Sequence, residues 1–185
     1  MIMDTAENTH GLASSFAFRK GMRELAGTVA VVATHDHDGV AVGLTATAIT
    51  SLSDKPPSLL VCLNEKSAIA SAIHAGALFS VNLLSERQMD VAQAFGGQRP
   101  VKGIGRFAFG SWIRSPRGTP SLLDTVVSFE CEAAKISLWA THLMVIGYVV
   151  DAFFPSHRMD PLVYHNGHYH KLGEQMTTHE GGRNV

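Results

Sequence analysis

The chain reads as mainly β: an antiparallel barrel with short helices packed outside it. Three observations predict this class. β-branched and apolar runs of strand length outnumber helical repeats. Short turn signals join most of those runs, which favours antiparallel neighbours. Helices do not follow each strand in turn, as a doubly wound parallel sheet requires. The chain has 185 residues, 45% of them apolar, and a formal net charge of −1. That composition suits one globular domain with a sizeable core.

Residues 1–13 are polar and aperiodic and read as a disordered start. Ser14 or Ser15 caps a first helix, with Phe16, Arg19, Met22, Arg23 and Leu25 at helical spacing and Gly27 closing it. Residues 28–34 are a β-branched strand, Asp38-Gly39 is a turn, and residues 40–47 run back as the hairpin partner. Pro56 and Pro57 break the chain. Residues 58–63 are apolar on both faces, as in a central strand. A short Ala/Ile helix over 68–74 ends near Gly76, and residues 78–83 form another strand. Ser85 and Gln88 have capping-box spacing for a helix that runs to Phe95.

Residues 96–110 hold five glycines, Pro100 and the cations Arg99, Lys102 and Arg106, and read as a long functional loop. A short strand near Trp112 precedes Pro116 and Pro120. Two long strands, 126–135 and 143–153, flank a connection over 136–142. Asn166-Gly167 is the preferred two-residue turn of a last hairpin. From residue 173 the chain is a polar tail, which leaves 14–172 as the domain.

Several classes are excluded. No Lys/Arg run points to a nucleic-acid groove or an anionic membrane surface. No apolar run approaches the roughly 20 residues of a membrane helix. The polar, acidic start is neither a signal nor a transit peptide, so a cytoplasmic protein is expected. Cys62 and Cys131 lie in apolar strand-like runs and read as reduced, buried and inert. The common nucleotide-binding and hydrolase motifs are missing.

What remains is residues 43–53, a stretch with no charge and no aromatic ring but with Thr45, Thr47, Thr50, Ser51 and Ser53. It is either a Thr-rich strand or a seat on which a flat ligand approaches the main chain. Asn64, Lys66 and Ser67 stand at a helix start, where Ser67 either caps the helix or helps hold a phosphate. His142, after Trp139, is either structural or functional. His165, His168 and His170 have ligand-like spacing. Across a two-residue turn, however, His165 opposes His168 and no acidic or Cys ligand is near, so no metal is expected.

The ordered set of motifs resembles the small flavin reductases of two-component flavin-dependent monooxygenases. The resemblance rests on Phe16, Arg19 and Met22; on residues 43–53 followed by Pro56-Pro57; on Asn64 and Ser67; and on Phe79, Ser80 and Asn82. It continues through Phe129, Cys131, His142, Gly147, Val149, Pro161, Tyr164, Gly167 and Tyr169. It implies a split β-barrel of the FMN-binding type, a homodimer that binds FMN (or FAD), and NADH or NADPH as co-substrate. Reduced flavin would pass to a separate monooxygenase.

By the same resemblance, Thr45, Ala46, Thr47 and Ala48 line the isoalloxazine ring, and Thr50 and Ser51 reach the ribityl chain or phosphate. Leu63, Asn64 and Ser67 complete the phosphate end, with Ser80 and Asn82 on the neighbouring strand. His142 is the catalytic candidate on the nicotinamide side, orienting the carboxamide or adding a positive field, and Tyr169 is the aromatic of the last hairpin. Two departures stand out: Ala140-Thr141 where the family often has Gly-Asp, and the 96–110 loop, whose basic residues match no clear role. A non-catalytic flavin- or haem-binding protein on the same barrel is the alternative.

Overall fold

The computed structural model describes residues 11–174, so the expected disordered start lies mostly outside the described residues, as does the tail from 175. Helix α1 (Ser15–Arg23) opens the described fold; Ser14 caps it by accepting from the Ala17 amide at 3.2 Å. Strands β2 (Ala30–His35) and β3 (Ala41–Ala46) form the expected hairpin. β4 (Ile49–Asp54) and β5 (Pro57–Asn64) form a second one, so Pro56 and Pro57 mark a tight turn and not a gap between units.

β6 (Leu78–Leu83), β9 (Val127–Trp139) and β10 (His142–Phe153) complete an antiparallel sheet in the order β3-β2-β6-β9-β10-β5-β4. Helices α2 (Ala68–Ala72) and α3 (Met89–Phe95) are short. β7 (Trp112–Arg114) pairs with β8 (Pro120–Leu122) as a separate hairpin. β11 (Val163–His165), β12 (His168–His170) and the two-residue β1 (Gly27–Thr28) make a third sheet.

This order forces the sheet to curl. β3 and β4 stand at opposite edges, yet only Thr47 and Ala48 join them. Seven flat strands at about 4.8 Å spacing would hold those edges about 29 Å apart. Three Cα steps reach only about 11 Å. The sheet therefore closes into a barrel that is split between β3 and β4, where the two edges are not paired.

Two apolar layers hold it. Inside lie Leu59, Val61, Leu63, Phe79, Val81, Cys131, Ala133 and Val145, with Ile69 of α2 and Ile73 at its C-cap. Outside, Val31, Ala33, Leu84, Val91, Phe95, Leu122 and Leu162 pack under α3 and the small hairpins. β2 serves both layers, so four consecutive residues from Ala30 carry no polar alternation until Thr34 and His35. At Gly147 a Cβ would lie 2.6 Å from the Phe79 ring, so packing demands a glycine there.

Three local expectations change. β9 and β10 extend to Trp139 and from His142, so residues 136–142 are mostly strand with a two-residue turn. Gln88 reaches back to the Ser85 amide at 3.0 Å, but the Ser85 hydroxyl donates to Asp124 O and Gln88 itself is the N-cap of α3. Tertiary contact outcompeted half of the capping box. Residues 96–110 are partly ordered by a 3-10 turn, Gly103–Ala108.

Candidate functional site

The split is where main chain is left over. Residues 43–53, read as one stretch, divide into the end of β3, the Thr47–Ala48 link and β4. Thr47 and Ala48 are exposed, and neither amide has a hydrogen-bond partner among the described residues. Ala48 O, by contrast, accepts from Cys62 N at 3.0 Å, which fixes the link against β5. Exposed amides beside small, uncharged side chains suit the electron-rich edge of a flat ring.

Apart from Ser80 and Asn82, the predicted residues fall into three groups. Thr45, Thr47 and Tyr169 line a cavity of about 200 Å³ together with Val29, Gly96, Gln98 and Tyr164. Here the Thr45 hydroxyl is occupied, donating to Ala92 O at 2.8 Å. Tyr164 and Tyr169 meet edge to face at 5.1 Å. Burial first, then the neighbouring Tyr164, pushes the Tyr169 phenol above its ordinary pKa and keeps it a neutral donor. Thr50 and Ser51 line a second, mostly apolar cavity of about 350 Å³ at the mouth of the barrel, with Ile49, Leu59, Phe129 and Val149.

The third group lies along β5 and β10. His142 pairs with Asn64, Leu143 with Leu63, and Glu65 N donates to Thr141 O at 3.0 Å. Ser67 is the N-cap of α2; its hydroxyl donates to Asn64 O at 2.6 Å and accepts from Ala70 N at 3.3 Å. The capping reading of Ser67 is thus realised, with Asn64 Oδ1 accepting from Lys66 N at 2.9 Å. The His142 ring is exposed, and its Nδ1 sits 2.9 Å from the Thr141 hydroxyl. The turn before it puts Ala140 at φ +49, the left-handed region a glycine occupies without strain. Ala46 and Leu63 are buried in the inner layer, so only their main chain can face a ligand.

Ser80 and Asn82 are not brought to this face. They point away from the inner layer and are fully engaged. Asn82 Nδ2 donates to Val31 O at 3.1 Å and to Ser80 Oγ at 2.9 Å, while its Oδ1 accepts from Leu122 N at 2.9 Å and Ser128 Oγ at 2.7 Å. Ser80 in turn donates to Pro120 O. These groups fasten the β7–β8 hairpin to β6 and leave no polar atom for a ligand.

Sequence reading missed Tyr164, Gly96 and Gln98 as neighbours of Thr47. The signals were the glycine-rich, basic character of residues 96–110 and the place of Tyr164 in the last-hairpin motif. It also left Arg106 without a role, although its Nη1 donates to Gly43 O at 3.5 Å and Phe95 O at 3.4 Å. The three histidines of the last hairpin lie near one another, with His165 and His170 ring centroids 5.8 Å apart. No metal-holding group of three His, Cys, Asp or Glu residues occurs among the described residues.

Comparison with known proteins agrees with this fold. The model of the family described as "Flavin reductase like domain" matches residues 22–173. The FMN reductase (NADH) RutF of Methylorubrum extorquens is 39% identical over 156 residues, which covers 84% of this chain and 74% of the relative. RutF of Ancylobacter novellus is 37% identical over 155 residues, covering 84% and 83%. Among solved structures, a nitrilotriacetate monooxygenase component B homologue from Mycobacterium thermoresistibile superposes with TM-score 0.80 at 27% identity, covering 91% of this chain and 92% of that one. BorF, the flavin reductase component of a bacterial two-component tryptophan halogenase, has TM-score 0.75 at 28% identity, covering 88% and 100%. The chain belongs to the flavin reductase like domain family, and its curled antiparallel sheet is that family's split β-barrel.

Proposed function

We propose that the protein is an NADH-dependent flavin reductase that reduces FMN and releases it to a partner monooxygenase. One observation carries the reading: in a member of this family, Thr47 and Ala48 are exposed at the barrel split, their amides have no partner among the described residues, and the link bears no bulky or charged side chain. The fit is chemical. A flavin ring gains electron density at its polar edge when reduced, and main-chain N–H groups stabilise density there without reorganising. When bound, the flavin supplies the hydride-accepting chemistry.

The chain's own task is binding, orientation and exclusion of water. Thr47 and Ala48 hold the polar edge, Thr50 and Ser51 face the ribityl chain, and Asn64 takes the phosphate end, beside Ser67, whose hydroxyl is engaged in capping α2. His142 and Tyr169 flank the nicotinamide; the exposed His142 orients the carboxamide and abstracts no proton. NADPH and FAD are the alternative co-substrate and flavin. The working unit is a homodimer, supported by unpartnered apolar side chains: Phe16, which is 73% exposed, Phe18, and Trp139 at the β9–β10 tip, which is 74% exposed. Among the described residues no helix is long and apolar enough to cross a membrane, in keeping with work in the cytoplasm.

The test is steady-state NADH and NADPH oxidation with FMN, FAD and riboflavin in turn. A reductase consumes the nicotinamide in proportion to added flavin. A protein that binds flavin and oxidises nothing is a carrier, and that result overturns the proposal. Sedimentation of the purified chain reads the dimer.

A further inference from the structure

Among the described residues Arg106 is a cation without a counter-ion, set against β3 and the end of α3. Its Nη1 donates to Gly43 O in β3 and to Phe95 O at the end of α3. Its Nε is buried and has no partner, and it makes no ion pair among the described residues. Between Asp90 and Asp124 the chain holds Arg99, Lys102, Arg106, Arg114 and Arg117 and no acidic residue.

The two carbonyls that Arg106 holds adjoin the cavity lined by Thr45, Thr47 and Tyr169. Gly43 is two residues before Thr45, and Phe95 precedes Gly96, which lines the same cavity. β3 and α3 touch closely here: a Cβ at Gly43 would lie 3.0 Å from the Phe95 ring and 2.9 Å from Val32 O. Phe95 O belongs to the last turn of α3, where carbonyls lack intrahelical partners and a cation is favoured. Phe107 reinforces the clamp, edge-on to Phe95 at 4.9 Å and 4.8 Å from Trp112. Both bonds leave Nη1, whose two N–H groups are fixed in the guanidinium plane, whereas the three donors of an ammonium rotate.

Resting on the flavin reading above, we infer that Arg106 is the positioning residue of the flavin seat. It holds the wall that carries Thr45 and Thr47. Its unneutralised charge also favours the reduced, more negative flavin over the oxidised one.

The experiment uses the full chain with Arg106→Met, Arg106→Lys and Arg99→Met. Arg99 is exposed and only stacks on Phe109, at 5.9 Å. Dissociation constants are measured by fluorescence for oxidised FMN and anaerobically for reduced FMN, with hydrogen exchange at the Thr45–Ala48 amides of the flavin-free protein. Arg106→Met raises the constant for oxidised FMN about tenfold, as for loss of a charged hydrogen bond, raises that for reduced FMN further, and speeds exchange at those amides. Arg106→Lys restores the ratio of the two constants but not the oxidised affinity, and Arg99→Met changes neither.

Two constants that match wild type, or that weaken by one common factor, overturn the inference. So does an Arg99→Met protein that reproduces the Arg106→Met ratio. If Arg106→Met does not fold, Arg106→Lys decides: an altered ratio overturns the inference. A wild-type protein that binds neither form of FMN instead refutes the flavin reading, and amide exchange in Arg106→Met still reads the clamp.

Discussion

The barrel split and the layer between β6 and β8 are built from similar residues with opposite outcomes. At the split, Thr47 and Ala48 keep main-chain donors that nothing in the described chain uses. Behind β6, Ser80, Asn82, Ser121 and Ser128 are joined through one hydrogen-bond network. Nearby, Ser115 and Thr119 both donate to the buried Glu130 carboxylate. Small polar residues thus fasten one face and leave the other open to a ligand. A polar group reports a binding site only when its partners inside the fold have been subtracted.

The largest effect expected from breaking this contrast is in the closed network. Asn82→Ala removes four hydrogen bonds and leaves buried partners unsatisfied. It should cost about 3–5 kcal/mol in urea unfolding, while the FMN KM of the folded fraction stays within about twofold. Ala48→Phe is the converse. It blocks an exposed link, so the FMN KM rises about tenfold or more, equivalent to about 1.4 kcal/mol, with stability changed by about 0.5 kcal/mol or less.

His142→Ala sharpens the site further. It should raise the NADH KM or lower kcat about fivefold to tenfold, on the scale of one modest hydrogen bond, and leave FMN affinity nearly intact. Loss of FMN binding with normal turnover at saturation would contradict the assignment.

A smaller effect lies in the inner layer. Burial, then the charge of Glu130, pushes the Cys131 thiol up to about 12 from 9.0. The unfolded chain loses this proton first, so the stability from this group is full below pH 9 and declines as pH rises towards 12. Thiol reagents at pH 8 should label Cys131 only on unfolding, and Cys131→Ala should flatten the alkaline decline. The smallest effect is Ala140→Gly, which relieves a left-handed alanine and should stabilise the protein by about 1 kcal/mol in thermal or urea unfolding.

Much of the site was legible because its chemistry is local. Ser67 as a cap, the Asn166-Gly167 hairpin and the uncluttered link all follow from a few neighbouring residues. Ser80 and Asn82 misled because alternation along β6 cannot say what covers the outer face; the β7–β8 hairpin that does arrives about 40 residues later. Arg106 stayed without a role for the same reason. Its partners Gly43 and Phe95 are 63 and 11 residues away.

By itself the sequence determined the strand-rich class, most turns and caps, and the small, hydroxyl-bearing stretch that suits a flat ring. Those depend on periodicity, propensity and contacts within a few residues. The tertiary structure alone decided that β3 and β4 are opposite edges drawn together by two residues, and which polar groups remain unspent there. Barrel closure and burial are set by pairings between residues distant in the chain, and no local pattern encodes them.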